Sequence, residues 1–169
     1  DYADVRDYSS ISHSIEEFQP HIIINLAALT DLEECEENKE NAWLTNGLGA
    51  ENIVLIASKL NATLIHISTA GIFDGKKEYY SDFEIPNPMG TYAKSKHYAE
   101  IIVSRELKKY YVFRAGWMMG GGPRKDKKFI NKIFQQICQG NNELNVVDDK
   151  LGTPTYTVDF VRGIQTLVK

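Results

Sequence analysis

Three short, continuous apolar runs constrain this chain more than any other feature. They are His21-Ile22-Ile23-Ile24-Asn25-Leu26, Thr63-Leu64-Ile65-His66-Ile67-Ser68 and Tyr111-Val112-Phe113-Arg114. Runs of this length read as strands buried on both faces. Segments of helical period lie between and after them: Ser10–Gln19, stopped by Pro20, then Asn38–Leu60, Tyr92 to about Lys109, Phe129–Cys138 and Asp159–Val168. The buried sides are expected to carry Ile11, Ile15 and Phe18 in the first helix, and Phe129, Ile130, Ile133, Phe134 and Ile137 in the fourth. A further strand is expected over Glu143–Val147. Alternating strands and helices predict an α/β fold, a parallel sheet covered by helices on both faces.

Composition narrows the function classes. The 169 residues are 43% hydrophobic and 25% charged, with a net charge of −4. No large basic face is expected, so nucleic acid is not an expected partner. No apolar run is long enough to span a bilayer, so no membrane association is expected. Cys35 and Cys138 have no metal or redox spacing and read as free thiols in a reducing cytoplasm. The four histidines have no carboxylate or cysteine constellation, so no metal is expected. His66 lies within a strand and reads as a satisfied core residue. The run Glu33-Glu34-Cys35-Glu36-Glu37 reads as a solvated face. Gly47 and Gly49 fall inside a helical stretch, each costing about 1 kcal/mol against Ala, which points to a close approach there. The chain opens at Asp1 and ends at Lys169 inside an amphipathic pattern, so both ends read as cut from a longer protein.

In parallel α/β sheets, ligands bind at the carboxyl ends of the strands. The small-residue turns Ala27-Ala28, Thr69-Ala70-Gly71 and Ala115-Gly116 fall there. So does the start of the helix behind Pro86-Asn87-Pro88-Met89-Gly90. That helix carries Tyr92 and Lys96 four residues apart, on one face. An ammonium beside a phenol stabilises the phenolate and lowers the tyrosine pKa, which makes a usable proton donor. The spacing alone is equally compatible with a surface helix of packed Tyr and solvated Lys.

The order of motifs resembles the extended short-chain dehydrogenase/reductase superfamily, and within it the dTDP-4-dehydrorhamnose reductase branch. The residues that carry the resemblance are Asp4-Val5-Arg6-Asp7, Asn25 to Thr30, Asn46 with Gly49, Ile67-Ser68-Thr69, Ile72-Phe73, Tyr92 to Lys96, Phe113 to Trp117, and Gly152-Thr153-Pro154-Thr155. The resemblance implies a three-layer Rossmann-like domain over residues 1–169, with 115–169 contributing to substrate binding. It implies reduction of a 4-keto group on a nucleotide-linked deoxysugar, with NADPH or NADH as cofactor. Tyr92 would be the general acid, Lys96 would bind the cofactor ribose and lower the Tyr92 pKa, and Thr69 would polarise the carbonyl. Asp4 and Val5 would meet the adenine. Ala27 and Ala28 would let the strand end approach the cofactor, and Asn46 would line the same site. Thr69, Ala70, Tyr92 and Trp117 would face the sugar nucleotide.

Two departures bear on function. The branch has Asp and then an aromatic after the catalytic Thr, where this chain has Ala70 and Gly71. The superfamily's glycine-rich turn, which holds the pyrophosphate, has no counterpart here, because its strand and helix are absent from the chain. A sheet lacking these strands exposes an edge that can pair with a second copy, so a homodimer is an expectation. Two alternatives to the reductase reading are an epimerase or dehydratase of nucleotide sugars, and a non-catalytic regulatory subunit of the same fold.

Overall fold

Asp7 opens the first helix. Its carboxylate accepts from the Ser9 N–H at 2.9 Å, so α1 spans Tyr8–Phe18 rather than starting at Ser10. Gln19, in the left-handed region at φ 50°, closes it ahead of Pro20. The computed structural model describes residues 3–122, 129–140, 142–144, 146 and 152–168. It divides into two compact units, Asp1–Arg114 and Ala115–Lys169.

The first unit contains a three-stranded sheet in the order β1-β2-β3, formed by Ile22–Asn25, Thr63–Thr69 and Tyr110–Ala115, the last residue of β3 being the first of the second unit. β1 pairs with β2 in parallel, Ile22 opposite Thr63 and Asn25 opposite His66. The expected α/β architecture holds, with one local correction. β1 is not buried on both faces: Ile23 and Asn25 point into the core, while Ile22 and Ile24 stay about half exposed. No described element of this unit covers that outer face. The core joins Ile11 of α1, Ile23 of β1, Leu64 of β2, and residues of two long helices, α4 (Gly49–Leu60) and α5 (Thr91–Glu106). Phe18, expected on the buried stripe of α1, is exposed.

The expected long helix from Asn38 to Leu60 is broken up. Asp31 caps a short α2 (Leu32–Glu37), accepting from the Glu33 and Glu34 N–H groups. Asn38 then caps α3 (Lys39–Trp43). A π-helical turn, Leu44–Leu48, leads into α4 (Gly49–Leu60). Wide turns of this kind concentrate at functional sites. The two glycines explain themselves here. A Cβ on Gly49 would lie 2.7 Å from Val5 Cγ2, and one on Gly47 3.3 Å from the Trp43 ring. Asn61, at φ 53°, ends α4 and turns the chain into β2.

After β2 comes a 3-10 turn, Ala70–Ile72, then a loop tied by Asp74, which accepts from the Tyr80 hydroxyl at 2.7 Å and from Asn87 Nδ2 at 3.1 Å. That loop delivers α5 (Thr91–Glu106). In the second unit, β4 (Trp117–Met119) pairs in parallel with β5 (Pro154–Tyr156), two strands that the glycine-rich and turn-rich sequence conceals. α6 (Phe129–Cys138) and α7 (Thr157–Leu167) complete it. Neither has a fully buried residue, so the apolar stripe expected inward in α6 is half exposed within its own unit. The strand expected over Glu143–Val147 falls partly outside the described residues.

Candidate functional site

The end of β2 and the start of α5 meet. Thr69 is the last residue of β2 and Tyr92 the second of α5, and the Thr69 side chain acts on the Tyr92 phenol, drawing its pKa down. Thr69 Oγ1 accepts from the Gly71 N–H at 3.1 Å, which fixes its rotamer. Lys96, one turn along α5, is almost fully buried. Its Nζ donates to the Ile67 carbonyl at 2.6 Å and lies 3.4 Å from His66 Nε2. The three residues expected to carry the chemistry thus come from two elements and converge on one strand end.

One expectation is corrected. Lys96 was expected to lower the Tyr92 pKa, but burial raises the phenol above its ordinary value, and the Thr69 side chain opposes this only in part. The Lys96 nitrogen is drawn down onto β2, against Ile67 and His66, rather than held at the phenol. Its own pKa is lowered to about 8, because burial disfavours the ammonium more than Glu100 favours it. Tyr92 therefore keeps its proton at neutral pH, and Lys96 holds its proton less tightly than an ordinary lysine.

Asn46 sits in the π-helical turn and is 1% exposed. Its amide clamps the chain after β1: Oδ1 accepts from the Leu29 N–H at 2.8 Å, and Nδ2 donates to the Leu29 carbonyl at 3.0 Å and to Ser95 Oγ at 3.1 Å. Ser95 in turn donates to the Tyr92 carbonyl at 2.9 Å. Asn46 therefore couples the Ala27-Ala28 turn to the helix turn that bears Tyr92.

Asp4, Val5, Ala27 and Ala28, expected around the cofactor, line one open cleft of about 290 Å³ together with Arg6, Asn41 and Thr45. Arg6 belongs to the Asp4–Asp7 motif but carried no expected role. It grips Asp4 through its backbone N–H and guanidinium, at 2.5 to 3.0 Å, and donates to Asn41 Oδ1 at 2.8 Å. The guanidinium holds the Asp4 carboxyl down at about 2. Ala70 lies exposed in the 3-10 turn directly after Thr69. Trp117 belongs to the second unit, where it is 43% exposed and tilted against Phe129, ring centroids 6.3 Å apart. Among the described residues no cluster of three or more His, Cys, Asp and Glu could hold a metal, and no helix is long and apolar enough to cross a membrane.

Glu36 is a second residue that sequence reasoning passed over, because it lies in an acidic run that reads as solvated. Its carboxylate accepts from the Thr91 N–H at 2.6 Å and from Thr91 Oγ1 at 3.0 Å. α5 begins behind Gly90, which has no side chain to cap it, so α2 supplies the cap. These bonds hold the Glu36 carboxyl below its usual range. Its stabilisation is therefore full above the ordinary Glu value and is lost as pH falls through the depressed folded value. Glu36→Ala is expected to lower the thermal midpoint near neutral pH and to bring the two melting curves together in acid. Midpoints that differ equally at every pH would contradict this.

A parallel sheet with a Thr-Tyr pair and a buried Lys at the carboxyl end of a strand defines a Rossmann-like α/β protein. Over residues 1–169 the chain belongs to the family described as the RmlD substrate binding domain. It is 32% identical over 161 residues to the spore coat polysaccharide biosynthesis protein SpsK of Bacillus subtilis, a match covering 95% of this chain and 56% of that protein. It is 32% identical over 151 residues to dTDP-4-dehydrorhamnose reductase of Mycobacterium tuberculosis, covering 86% of this chain and 49% of the relative. A crystal structure of dTDP-4-dehydrorhamnose reductase from Bacillus anthracis, in complex with NADP, superposes with a TM-score of 0.92 at 30% identity, over 98% of this chain and 58% of that one. The chain thus spans about half the length of the relatives it matches.

Proposed function

We propose that the protein carrying this chain reduces a 4-keto group on a nucleotide-linked deoxysugar, using NADPH or NADH. The observation that carries the proposal is the meeting of Thr69, at the carboxyl end of β2, with Tyr92 of α5, the Thr69 side chain acting on the phenol and buried Lys96 one turn away. Its setting supports it: relatives of this family include a dTDP-4-dehydrorhamnose reductase, and one such structure holds NADP.

The residues present fit a dinucleotide. The cleft at Asp4, Val5, Ala27 and Ala28 is walled by small side chains and carries the Arg6 charge, features that suit a flat base and an anionic chain. When bound, the dinucleotide supplies the hydride. Asp4 and Val5 form one wall of its cleft, and Ala27 and Ala28, held by the Asn46 clamp, form another. Tyr92 gives its proton to the sugar oxygen, and its raised pKa keeps that proton in place at neutral pH. Thr69 bonds the same oxygen as charge develops there. Lys96, one turn along α5, is placed to bind the cofactor, with its proton held less tightly than an ordinary lysine's. Ala70, exposed beside Thr69, and Trp117 of the second unit are proposed to contact the sugar nucleotide. A cytoplasmic location fits this chemistry.

Incubating the full-length protein with NADPH and a dTDP-4-keto-6-deoxysugar tests the proposal. Net oxidation of NADPH matched by loss of the ketone is the expected result. Conversion of the sugar without net NADPH oxidation would favour an epimerase or dehydratase. No turnover of any keto sugar, with a partner enzyme co-purifying, would favour a regulatory subunit.

A further inference from the structure

A buried polar line joins the end of β1 to α5 through the middle of β2. The Ala27 N–H donates to Asn25 Oδ1 at 3.1 Å. Asn25 Nδ2 lies 3.3 Å from His66 Nδ1, and His66 Nε2 lies 3.4 Å from Lys96 Nζ. Asn25, His66 and Lys96 are 6%, 1% and 2% exposed, so no bulk water intervenes to blur the proton positions.

The proton directions follow from one end of this line. A backbone N–H can only donate, so the Asn25 carbonyl oxygen must face Ala27 and its NH₂ must face His66. An NH₂ can only donate, so His66 Nδ1 must accept. A neutral imidazole with Nδ1 accepting carries its proton on Nε2. That N–H is turned toward the Lys96 nitrogen, whose own donor bond goes to the Ile67 carbonyl at 2.6 Å. An ammonium has no lone pair to receive a donor, whereas a neutral amine has one.

We propose that Asn25 and His66 are positioning residues for Lys96: locked as the Nε2–H tautomer, the imidazole presents a donor to the Lys96 nitrogen and favours its neutral, proton-accepting form. Burial and the neighbouring Lys96 charge agree with a neutral ring, since they push the His66 pKa down to about 3. The opposing influence on Lys96 is Glu100, one turn on in α5, whose carboxylate is itself engaged by Arg114 of β3 at 2.9 to 3.3 Å. Of the other titratable groups at this end of α5, Cys35 of α2 bears on Tyr92, while Glu36 of α2 bonds Thr91 and is attracted by Lys94. The consequence is a lysine that gives up its proton more readily than an ordinary one. The inference rests on the proposed reductase function only for the use made of Lys96.

Heteronuclear NMR of the ligand-free protein, labelled at His and Lys, tests it without turnover. His66 signals are assigned by their loss in His66→Gln. The expected His66 pattern is a neutral Nε2–H ring that does not titrate between about pH 5.5 and 9, where an ordinary imidazole would. Lys96 is expected to titrate near pH 8. In Asn25→Ala the constraint on Nδ1 is gone, so the ring is expected to shift toward Nδ1–H and the Lys96 midpoint to rise by about one unit, a tenfold change in acidity. A wild-type Nδ1–H tautomer, or a His66 midpoint near 6.5, would overturn the proposal even if the variant fails to fold. A folded Asn25→Ala protein with tautomer and Lys96 midpoint unchanged would also overturn it. Inactivity toward keto sugars would sink the reductase function while leaving these signatures as predicted.

Discussion

Tyr92→Phe in the full-length protein is expected to cut ketone reduction by about 10²- to 10⁴-fold, the usual contribution of a positioned general acid. Folding should hardly change. Thr69 keeps its bond from the Gly71 N–H when the phenol hydroxyl is gone. Cofactor affinity should change little too, because the proposed cleft is built from other residues. The raised Tyr92 pKa adds a further expectation. Loss of the proton should limit activity only well above neutral pH, so an alkaline decline due to Tyr92 lies beyond the ordinary phenol value of about 10. Steady-state kinetics beside a thermal melt checks both halves. Near-normal turnover would make the Thr69–Tyr92 pair a structural contact.

Lys96→Met is expected to make the fold more stable while destroying activity. Burying the amine lowers its pKa from 10.5 to about 8, a penalty on the charged form of about 3 kcal/mol. The variant loses the hydrogen bond to the Ile67 carbonyl and the contact with His66 Nε2, together worth about 1–2 kcal/mol. A net gain of about 1–2 kcal/mol at neutral pH follows, because the thioether side chain has similar length and no charge. The sign with pH is fixed by the same shift. Below about pH 8 both folded and unfolded chains carry the proton, and the penalty is full. Between about 8 and 10.5 the unfolded chain binds more protons than the folded one, so wild-type stability rises with pH through this group. Denaturation curves should therefore show the variant's advantage at neutral pH shrinking in alkali. A destabilised variant, or an advantage independent of pH, would contradict the account. Stability given up at one buried amine is the expected mark of a functional site.

Much of this was legible in the amino-acid sequence because it depends on local pattern. The apolar runs at 21–26, 63–68 and 111–114 became the three strands of the first unit. Gly47 and Gly49 signalled a close approach, which is to Trp43, Tyr98 and Val5. Tyr92 and Lys96 share a helix whose start Pro88 and Gly90 announce. What stayed hidden depends on contacts between distant segments. Glu36 looked solvated because its partner Thr91 is 55 residues away. The π-helical turn around Asn46 reads as continuous helix, since its distortion answers the Leu29 backbone rather than any local propensity. β4 and β5 are each three residues long, too short for a period of two to register. The expected effect of Lys96 on Tyr92 followed from spacing along the helix. Spacing does not record depth, and depth put the amine on the Ile67 carbonyl. His66 carried a usable signal: a polar ring in a buried strand requires polar partners, and they are Asn25 and Lys96.

The most direct test of the reductase function follows the hydride itself. The full-length protein is given a dTDP-4-keto-6-deoxysugar and a nicotinamide cofactor deuterated at the transferring carbon, and the product is read by mass spectrometry and NMR. The account predicts one deuterium at the former carbonyl carbon for each cofactor oxidised, with the rate collapsing in Tyr92→Phe. A changed sugar with no net cofactor oxidation, or label transfer that survives Tyr92→Phe at the wild-type rate, would contradict it.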